Sequence, residues 1–217
     1  MQPVVLHFKS VYLNLSETFI DRLVRHHERY RPVVGTLHPR HYLDGLPVYA
    51  PKGPAAWRDR LLQQLNRTPR FLFAVCRREH PAVLHAHFGL DGYRLLGLAR
   101  RTRLPLVVSF YGHDVSRLPD ESGWRRRYRR LARGGMRFIA ATDFMRRQLV
   151  ALGFPEEKID VVRFGLDLRA FPFQPRTQAG LRLLMIGRLV EKKGHRTALE
   201  AVARLRAAGY AVELHCY

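Results

Sequence analysis

Short apolar runs alternate with amphipathic stretches along most of this 217-residue chain. The runs at Val4–Phe8, Val83–His87 and Leu106–Phe110 have the length of buried strands, and apolar residues recur at helical spacing between them. Parallel strands need a crossover between them, usually a helix, so this alternation is typical of a parallel sheet covered by helices. We therefore predict an α/β fold with a doubly wound sheet.

The arginine-rich stretch near the middle of the chain is predicted to be an amphipathic helix. Trp124, Tyr128, Leu131 and Ala132 form one apolar stripe at helical spacing. The other faces carry Arg125, Arg126, Arg127, Arg129, Arg130 and Arg133. Two interpretations stay open: the stripe packs inward and the arginines are solvated, or Trp124 and Tyr128 are interfacial aromatics on an anionic membrane surface.

Other helices and their caps can be predicted in the same way. Trp57, Leu61, Leu62 and Leu65 lie at helical spacing and predict a helix. Ser16 and Asp143 precede further apolar-periodic stretches, and both are predicted N-caps.

The predicted elements group into one complete domain and the start of another. Residues 1–172 form the first doubly wound domain, and the segment 173–180, within a stretch rich in Pro and Gly that lacks periodicity, is a linker. Residues 181–217 then read as strand, helix and strand, which is the first βαβ unit of an incomplete second domain.

Charge and compartment limit the classes of partner. The formal charge is +20, from 38 Lys and Arg against 18 Asp and Glu, and this favours an anionic partner. No apolar stretch approaches the ~20 residues of a membrane span, and the N-terminus has no signal-peptide pattern. Cys76 and Cys216 lack metal-ligand spacing and are expected to be reduced thiols in a cytoplasmic protein.

Polar residues recur where the predicted strands end. In doubly wound sheets ligands bind beyond the carboxyl ends of the strands. Glu17 and Thr18 follow the first strand, His85 and His87 end the "HAHFG" strand, and "SFYGHD" ends the next. His85 is more simply interpreted as a buried core histidine, whereas His87 and Glu17 are candidates for contact with a ligand in the cleft.

A basic turn, "GRLVEKKG", follows the first strand of the second domain. Gly187 and Gly194 would let the backbone approach a ligand, while Arg188 offers a planar fork of donors and Lys193 a point charge beside a helix start. These groups suit phosphate oxygens. The turn matches neither a Walker loop nor a dinucleotide fingerprint, and a solvated basic turn is the alternative.

Taken together, these segments resemble the retaining glycosyltransferases of family 4, which have the GT-B fold, and among them bacterial enzymes of exopolysaccharide assembly such as the colanic acid type. The resemblance is carried, in the family's order, by "LSETFI", "HAHFG", "VVSFYGHDVS", "FIAATDFMRRQLVALGFPEEKIDVVRFGLD" and "LLMIGRLVEKKG". It implies two Rossmann-like domains, the N-terminal one for the acceptor and the C-terminal one for a nucleotide sugar.

The resemblance also implies roles for particular residues. Arg188 and Lys193, with Gly187, would hold the donor diphosphate and stabilise the leaving group, so that no metal or other cofactor is expected. Many relatives have a histidine directly after the "SF" dipeptide, where this chain has Tyr111. Tyr111 or His113 takes that role, and with Asp114 these are the candidate catalytic residues.

The same resemblance makes the second domain incomplete. The family's C-terminal domain carries two glutamates eight positions apart, and no glutamate pair here has that spacing. We therefore expect a truncated chain that is inactive alone. The expected partners are a nucleotide sugar, a saccharide or lipid-linked saccharide acceptor and an anionic membrane surface at the cytoplasmic face of the inner membrane.

Two alternatives come from other classes of protein. A non-catalytic Rossmann-like binding module would also explain an incomplete second domain. A nucleic-acid-binding protein would explain the charge, but no recognition helix, zinc or RNA-binding signature accompanies it and the arginines spread over the whole chain, so nucleic acid is not an expected partner.

Overall fold

A computed structural model describes residues 2–12, 14, 17–40, 45–166, 168–175 and 181–217. The strands in these residues are β1 Val4–Phe8, β2 Val11–Tyr12, β3 Arg31–Gly35, β4 His38–Pro39, β5 Val48–Tyr49, β6 Val83–His87, β7 Leu106–Phe110, β8 Arg137–Ala140, β9 Ile159–Val161, β10 Leu181–Met185 and β11 Val212–Cys216. The α-helices are α1 Thr18–Arg25, α2 Pro54–Gln64, α3 Phe71–Glu79, α4 Gly89–Thr102, α5 His113–Ser116, α6 Trp124–Gly134, α7 Asp143–Ala151 and α8 His195–Ala207. Short 3₁₀ turns lie at Leu118–Asp120, Glu156–Lys158, Leu168–Ala170 and Glu191–Lys193.

The chain divides into two compact units, residues 1–165 and 166–217. The first contains a parallel seven-stranded sheet in the order β5-β3-β1-β6-β7-β8-β9, so that β1 lies in its interior, and a small parallel pair of β2 and β4. The second contains β10 and β11 as a parallel pair connected through α8. The predicted α/β Rossmann-like fold is therefore confirmed, and the predicted boundary at residue 172 stays a prediction.

The core of the first unit follows from strands that are buried on both faces. All five residues of β1 are buried, and Leu6, Phe8, Leu84, Val108 and Phe110 are among the core residues on neighbouring strands. Continuous apolar strands of this kind are typical of parallel sheets with helices on both sides. Because every pairing in the sheet is parallel, the carboxyl ends of these strands lie along one edge.

The helix predicted around Trp57 is confirmed as α2, and a further helix, α3, follows it. Trp57 is 70% exposed, and Leu65, just beyond the end of α2, is 59% exposed. Helix α3 was not predicted, and it buries Leu72. The buried Asp59 of α2 accepts hydrogen bonds from the backbone N–H groups of Arg70 and Phe71, at the start of α3, and thereby holds the two helices together.

The predicted caps have different outcomes. Thr142, and not Asp143, is the N-cap of α7, because its hydroxyl accepts the N–H of Met145 at 3.2 Å. Asp143 is instead the first helical residue and pairs with Arg163. Ser16 lies outside the described residues.

Candidate functional site

Three buried histidines lie side by side where β1 and β6 approach their carboxyl ends. His7 of β1 is the register partner of His85 on β6, and His87 follows two positions later on the same face. Ring centroids are 5.0 Å apart for His7 and His85 and 4.7 Å apart for His85 and His87. The strand register therefore assembles a histidine cluster from residues that are distant in sequence.

A chain of hydrogen bonds runs from this cluster to Tyr111. The Tyr111 hydroxyl lies 2.7 Å from Nδ1 of His87, and Nε2 of His87 lies 3.0 Å from Nδ1 of His7. Nε2 of His7 lies 3.0 Å from Nε2 of His27, which is half-buried after α1. Each contact between neutral rings needs one N–H and one lone pair, so the tautomer of one ring fixes the next. The chain can orient the Tyr111 hydroxyl and can relay a proton between it and His27.

Burial keeps these rings neutral. It lowers the pKa of His7 and of His87 well below the ordinary value, and the neighbouring histidines lower both further. It also lowers the pKa of His85 to about 4. Desolvation disfavours the imidazolium form, and a second positive ring nearby disfavours it again.

The same cluster has the composition of a metal site. The ligand atoms of His7, His85 and His87 lie within 4.8 Å of one another, and neutral imidazole is the form that binds a metal ion. However, Nδ1 of His7 and Nε2 of His87 are already joined by a hydrogen bond, and Nε2 of His85 is hydrogen-bonded to the Ser109 hydroxyl at 2.8 Å. A metal ion would have to replace the hydrogen bond between His7 and His87.

Tyr111 lies in an aromatic pocket after β7. Its ring meets Phe19 and Phe88 edge-on, at centroid distances of 5.0 and 4.9 Å, and stacks on Phe164 at 5.7 Å. Burial raises the pKa of Tyr111, so its hydroxyl is protonated at neutral pH. His113, two residues on, is exposed at the start of α5. The structure therefore brings Tyr111 and His87 into direct contact and leaves His113 outside the cluster.

Asp114 is buried and organises the loop that carries Tyr111. Its carboxylate accepts the backbone N–H groups of Tyr111 and Gly112 at 3.0 and 2.9 Å, and that of Gly89 at 3.1 Å. Burial raises the pKa of Asp114, while these backbone donors act against that rise. Its observed contacts position the loop after β7 against the start of α4.

Glu17 and Lys9 form an ion pair at the same edge of the sheet. Nζ of Lys9 lies 3.6 Å from Oε1 of Glu17 and 4.5 Å from the ring centroid of Phe88. The second carboxylate oxygen of Glu17 is buried without a hydrogen-bond partner among the described residues. Thr18 is exposed as the first residue of α1. Glu17 thus keeps an acceptor that a ligand hydroxyl could use.

Sequence reasoning missed a buried polar cluster beside this site. Ser10 donates its N–H to Asp91 at 2.9 Å, and the Ser10 hydroxyl bonds the same carboxylate. Arg94 reaches Asp91 at 3.0 Å and Ser10 Oγ at 2.9 Å. The available signal was the three-residue spacing of Asp91 and Arg94, which places an acidic and a basic group on one face of a helix. His7 was missed as well, although a histidine inside the apolar run "VVLHF" is itself unusual.

The residues predicted to bind the donor lie in the second unit. The N–H of Gly187 donates to the Tyr217 carbonyl at 2.9 Å, and a side chain at position 187 would meet the Lys193 stem about 3.6 Å away. Arg188 is exposed, and its carbonyl accepts the N–H of Val190 at 2.8 Å. Gly194, with φ of +73°, precedes α8 in the left-handed conformation that favours glycine. The Arg188 guanidinium and the Lys193 ammonium make no ion pair within the described part of the chain.

The arginine-rich helix α6 corrects one interpretation. Trp124 and Tyr128 are 5% and 0% exposed, so the expectation that they are interfacial aromatics is wrong. Trp124 packs on Tyr93 at a centroid distance of 6.1 Å, and the Tyr128 hydroxyl donates to the Asp114 carbonyl at 2.7 Å. Within the described residues, no helix has both the length and the apolar character that crossing a bilayer requires.

Comparison with curated proteins finds relatives in bacterial polysaccharide synthesis. The colanic acid biosynthesis glycosyltransferase WcaL of Salmonella typhimurium is 35% identical over 136 residues, which are 59% of this chain and 33% of WcaL. The amylovoran biosynthesis glycosyltransferase AmsK of Erwinia amylovora is 32% identical over 135 residues, which are 58% of this chain and 32% of AmsK. The matches therefore span about a third of the length of these relatives.

Solved structures share the fold at low sequence identity. HepE of Anabaena, solved with UDP and glucose, superposes with a TM-score of 0.66 at 18% identity, covering 99% of this chain and 61% of HepE. A glycosyltransferase of Rickettsia africae gives a TM-score of 0.68 at 12% identity, covering 99% of this chain and 59% of that one. These neighbours have the GT-B fold.

The sequence profile of the glycosyl transferase 4-like domain matches residues 12–165, which include Tyr111, Asp114 and His87. That segment covers most of the first compact unit. The chain therefore belongs to the glycosyl transferase 4-like family.

Proposed function

We propose that this chain is the acceptor-side domain, with the start of the donor-side domain, of a retaining glycosyltransferase in bacterial surface or exopolysaccharide synthesis. The observation that carries the proposal is the polar cluster of Tyr111, His87, Glu17 and Lys9 at the carboxyl edge of the sheet. The cluster lies where α/β sheets bind ligands, and Glu17, His87 and Tyr111 are within the segment that matches the family. The relatives WcaL and AmsK are named for such syntheses.

The donor is proposed to be a nucleotide sugar, bound through the turn of Gly187, Arg188 and Lys193. HepE was solved with UDP and glucose, which supports this class of donor. The exposed Arg188 guanidinium and the Lys193 ammonium would stabilise negative charge on the leaving diphosphate. This role needs no metal ion, so we propose that transfer is independent of metals.

The test replaces these cations in a longer protein, made by joining this chain to a complete donor-side domain. Arg188→Ala and Lys193→Ala should each lower kcat/KM with a UDP- or GDP-sugar by a factor that corresponds to about 2–4 kcal/mol of transition-state stabilisation. Lys192→Ala is the matched control, since Lys192 is an exposed lysine of the same turn with no proposed contact. Near-normal rates in both variants, or an equal loss in the control, would place the diphosphate elsewhere.

A second comparison decides between Tyr111 and His113. Tyr111→Phe removes the hydroxyl that bonds His87, whereas His113→Ala removes an exposed ring. If Tyr111 takes the role of the family's histidine, only Tyr111→Phe should lower kcat in the longer protein. A loss confined to His113→Ala would assign the role to His113.

We propose further that residues 1–217 do not transfer sugar alone, because they contain a single βαβ unit of the donor side. Incubation of the purified chain with UDP- and GDP-sugars and a lipid-linked saccharide should give no product, and any steady turnover would contradict this.

The acceptor is proposed to be saccharide on a lipid carrier, reached from the cytoplasmic face of the membrane. Arg125, Arg126, Arg129, Arg130 and Arg133 are all exposed on α6, and each basic residue near an anionic surface contributes about 1 kcal/mol. Vesicle co-sedimentation should therefore fall when Arg126, Arg127, Arg129 and Arg130 are all changed to Ser. Binding that ignores anionic lipid content would argue against a membrane role.

A further inference from the structure

The first unit has a cavity lined by arginines that lies apart from the candidate site. The cavity has a volume of about 710 Å³, and its walls come mainly from α4, α6 and the segment that joins α2 to α3. The joining segment contributes Arg67 and Arg70, α4 contributes Arg100 and Arg101, and α6 contributes Arg130 and Arg133. We call this feature the arginine cavity.

The arginine cavity holds positive charge without a counter-charge. None of its lining residues is an aspartate or glutamate. Arg67, Arg70, Arg100, Arg130 and Arg133 are exposed and make no ion pair with any described residue. Elsewhere in the chain, the exposed Arg163 and the half-buried Arg146 do pair with acidic residues. Several cations without an acidic partner therefore face one concave surface.

Hydrogen bonds and close packing hold the walls of the cavity in place. Arg94, only 7% exposed, closes one side, and its guanidinium bonds Asp91 and the Gln63 carbonyl. The Thr68 hydroxyl donates to the Arg94 carbonyl, and a side chain at Gly97 would come within 2.6 Å of that hydroxyl. The joining segment and α4 therefore meet closely, which fixes the backbone that carries the arginines.

We propose that the arginine cavity binds a phosphate-bearing ligand with two or more negative charges. Like charges around one cavity repel each other, and a polyanion would relieve that repulsion. Guanidinium forks match phosphate oxygens two at a time, which a lysine patch does not. The volume falls in the range of small-ligand sites, and Tyr93 and Phe73 add apolar wall for an organic portion.

The phosphate-bearing ligand could be of two kinds, namely a free diphosphate compound or the headgroup of a lipid. The arginine cavity involves neither Arg188 nor Lys193, so its test succeeds or fails independently of the proposed sugar transfer.

The experiment is calorimetric titration of the whole chain at low salt. One arm uses inorganic pyrophosphate, and the other uses a short-chain phosphatidic acid below its micelle concentration. The variant Arg100→Ser with Arg133→Ser removes two lining cations. The control Arg58→Ser with Arg60→Ser removes two exposed arginines of α2 that do not line the cavity. Both variants lose the same charge.

We expect the wild type and the control to bind at least one probe with similar affinity, and the cavity variant to bind it at least about tenfold more weakly. Pyrophosphate binding that depends on the cavity indicates a free diphosphate, and binding of phosphatidic acid alone indicates a lipid headgroup. No binding of either probe, or equal weakening in both variants, would overturn the proposal. If the cavity variant unfolds at a lower temperature than the wild type, Arg67→Ser with Arg70→Ser replaces it in the same comparison.

Discussion

Mild acid should destabilise the first unit through its histidine cluster. His7, His85 and His87 are 0%, 7% and 0% exposed, and burial lowers the pKa of each ring. In the unfolded chain these groups titrate near pH 6.5. Below that value the unfolded state binds protons that the folded state does not. The free energy of unfolding therefore keeps its full value above about pH 6.5 and decreases as pH falls below it.

The magnitude follows from the linkage relation. At pH 5.5 each ring contributes about 1.4 kcal/mol in favour of unfolding, so that three rings together remove about 4 kcal/mol relative to pH 7.5. Carboxylates ordinarily titrate below this window. Because domains are commonly stable by about 5–15 kcal/mol, this loss is a large fraction of the total.

Urea unfolding between pH 7.5 and 5.5, followed by tryptophan fluorescence, measures this loss. Trp124 is buried in the core of the first unit and will report on it. In His85→Gln the loss should shrink by about a third, because one of the three protons is removed. His113→Gln, which removes an exposed ring, is the control. Stability that stays constant down to pH 5.5, or an undiminished loss in His85→Gln, would refute the reasoning.

Three further predictions concern single contacts and metal. Asp114→Ala should lower the free energy of unfolding by roughly 2–4 kcal/mol, because backbone N–H groups of Gly89, Tyr111 and Gly112 lose their buried acceptor, and a loss under 1 kcal/mol in urea titration would contradict this. Gly92→Ala should destabilise the first unit by about 1–3 kcal/mol, because the new methyl group would lie 2.7 Å from the Val108 side chain; an unchanged melting temperature would show that β7 can yield. EDTA should change neither sugar transfer by the longer protein nor the melting temperature of this chain, whereas a decrease that zinc reverses would identify a metal in the histidine cluster.

The sheet and most helices could be predicted because each depends on a local pattern. Val4–Phe8 and Leu106–Phe110 are apolar except for His7 and Ser109, and such a run of strand length is enough to recognise a buried parallel strand. The stripe of α6 was predicted for the same reason. Helix α3 was not predicted because residues 71–76 are all apolar, which hides the helical spacing of the buried Leu72, Val75 and Cys76. Helix α2 was predicted from spacing, but spacing alone does not reveal that Trp57 is exposed.

The candidate site was predictable only where it lies at strand ends. His87 and Tyr111 follow from the topology of a doubly wound fold, since parallel strands bring their carboxyl ends together. The partners of His87 could not be predicted, because contact with His7 depends on the register of β1 against β6 and His27 reaches the cluster from beyond α1. Whether Trp124 faces lipid or core was likewise a question of packing, and local spacing carries no information about it.

The interior position of β1 has a consequence for how this protein forms during synthesis. Its partner β6 follows roughly eighty residues later. At a translation rate of about 5–20 residues per second, one edge of β1 stays unpaired for several seconds until β6 is synthesised. During that interval a mainly apolar strand is exposed beside the ribosome. We expect the nascent chain to depend on chaperones until β6 has emerged, and synonymous changes that slow translation between β3 and β6 should lower the soluble yield without altering the purified protein.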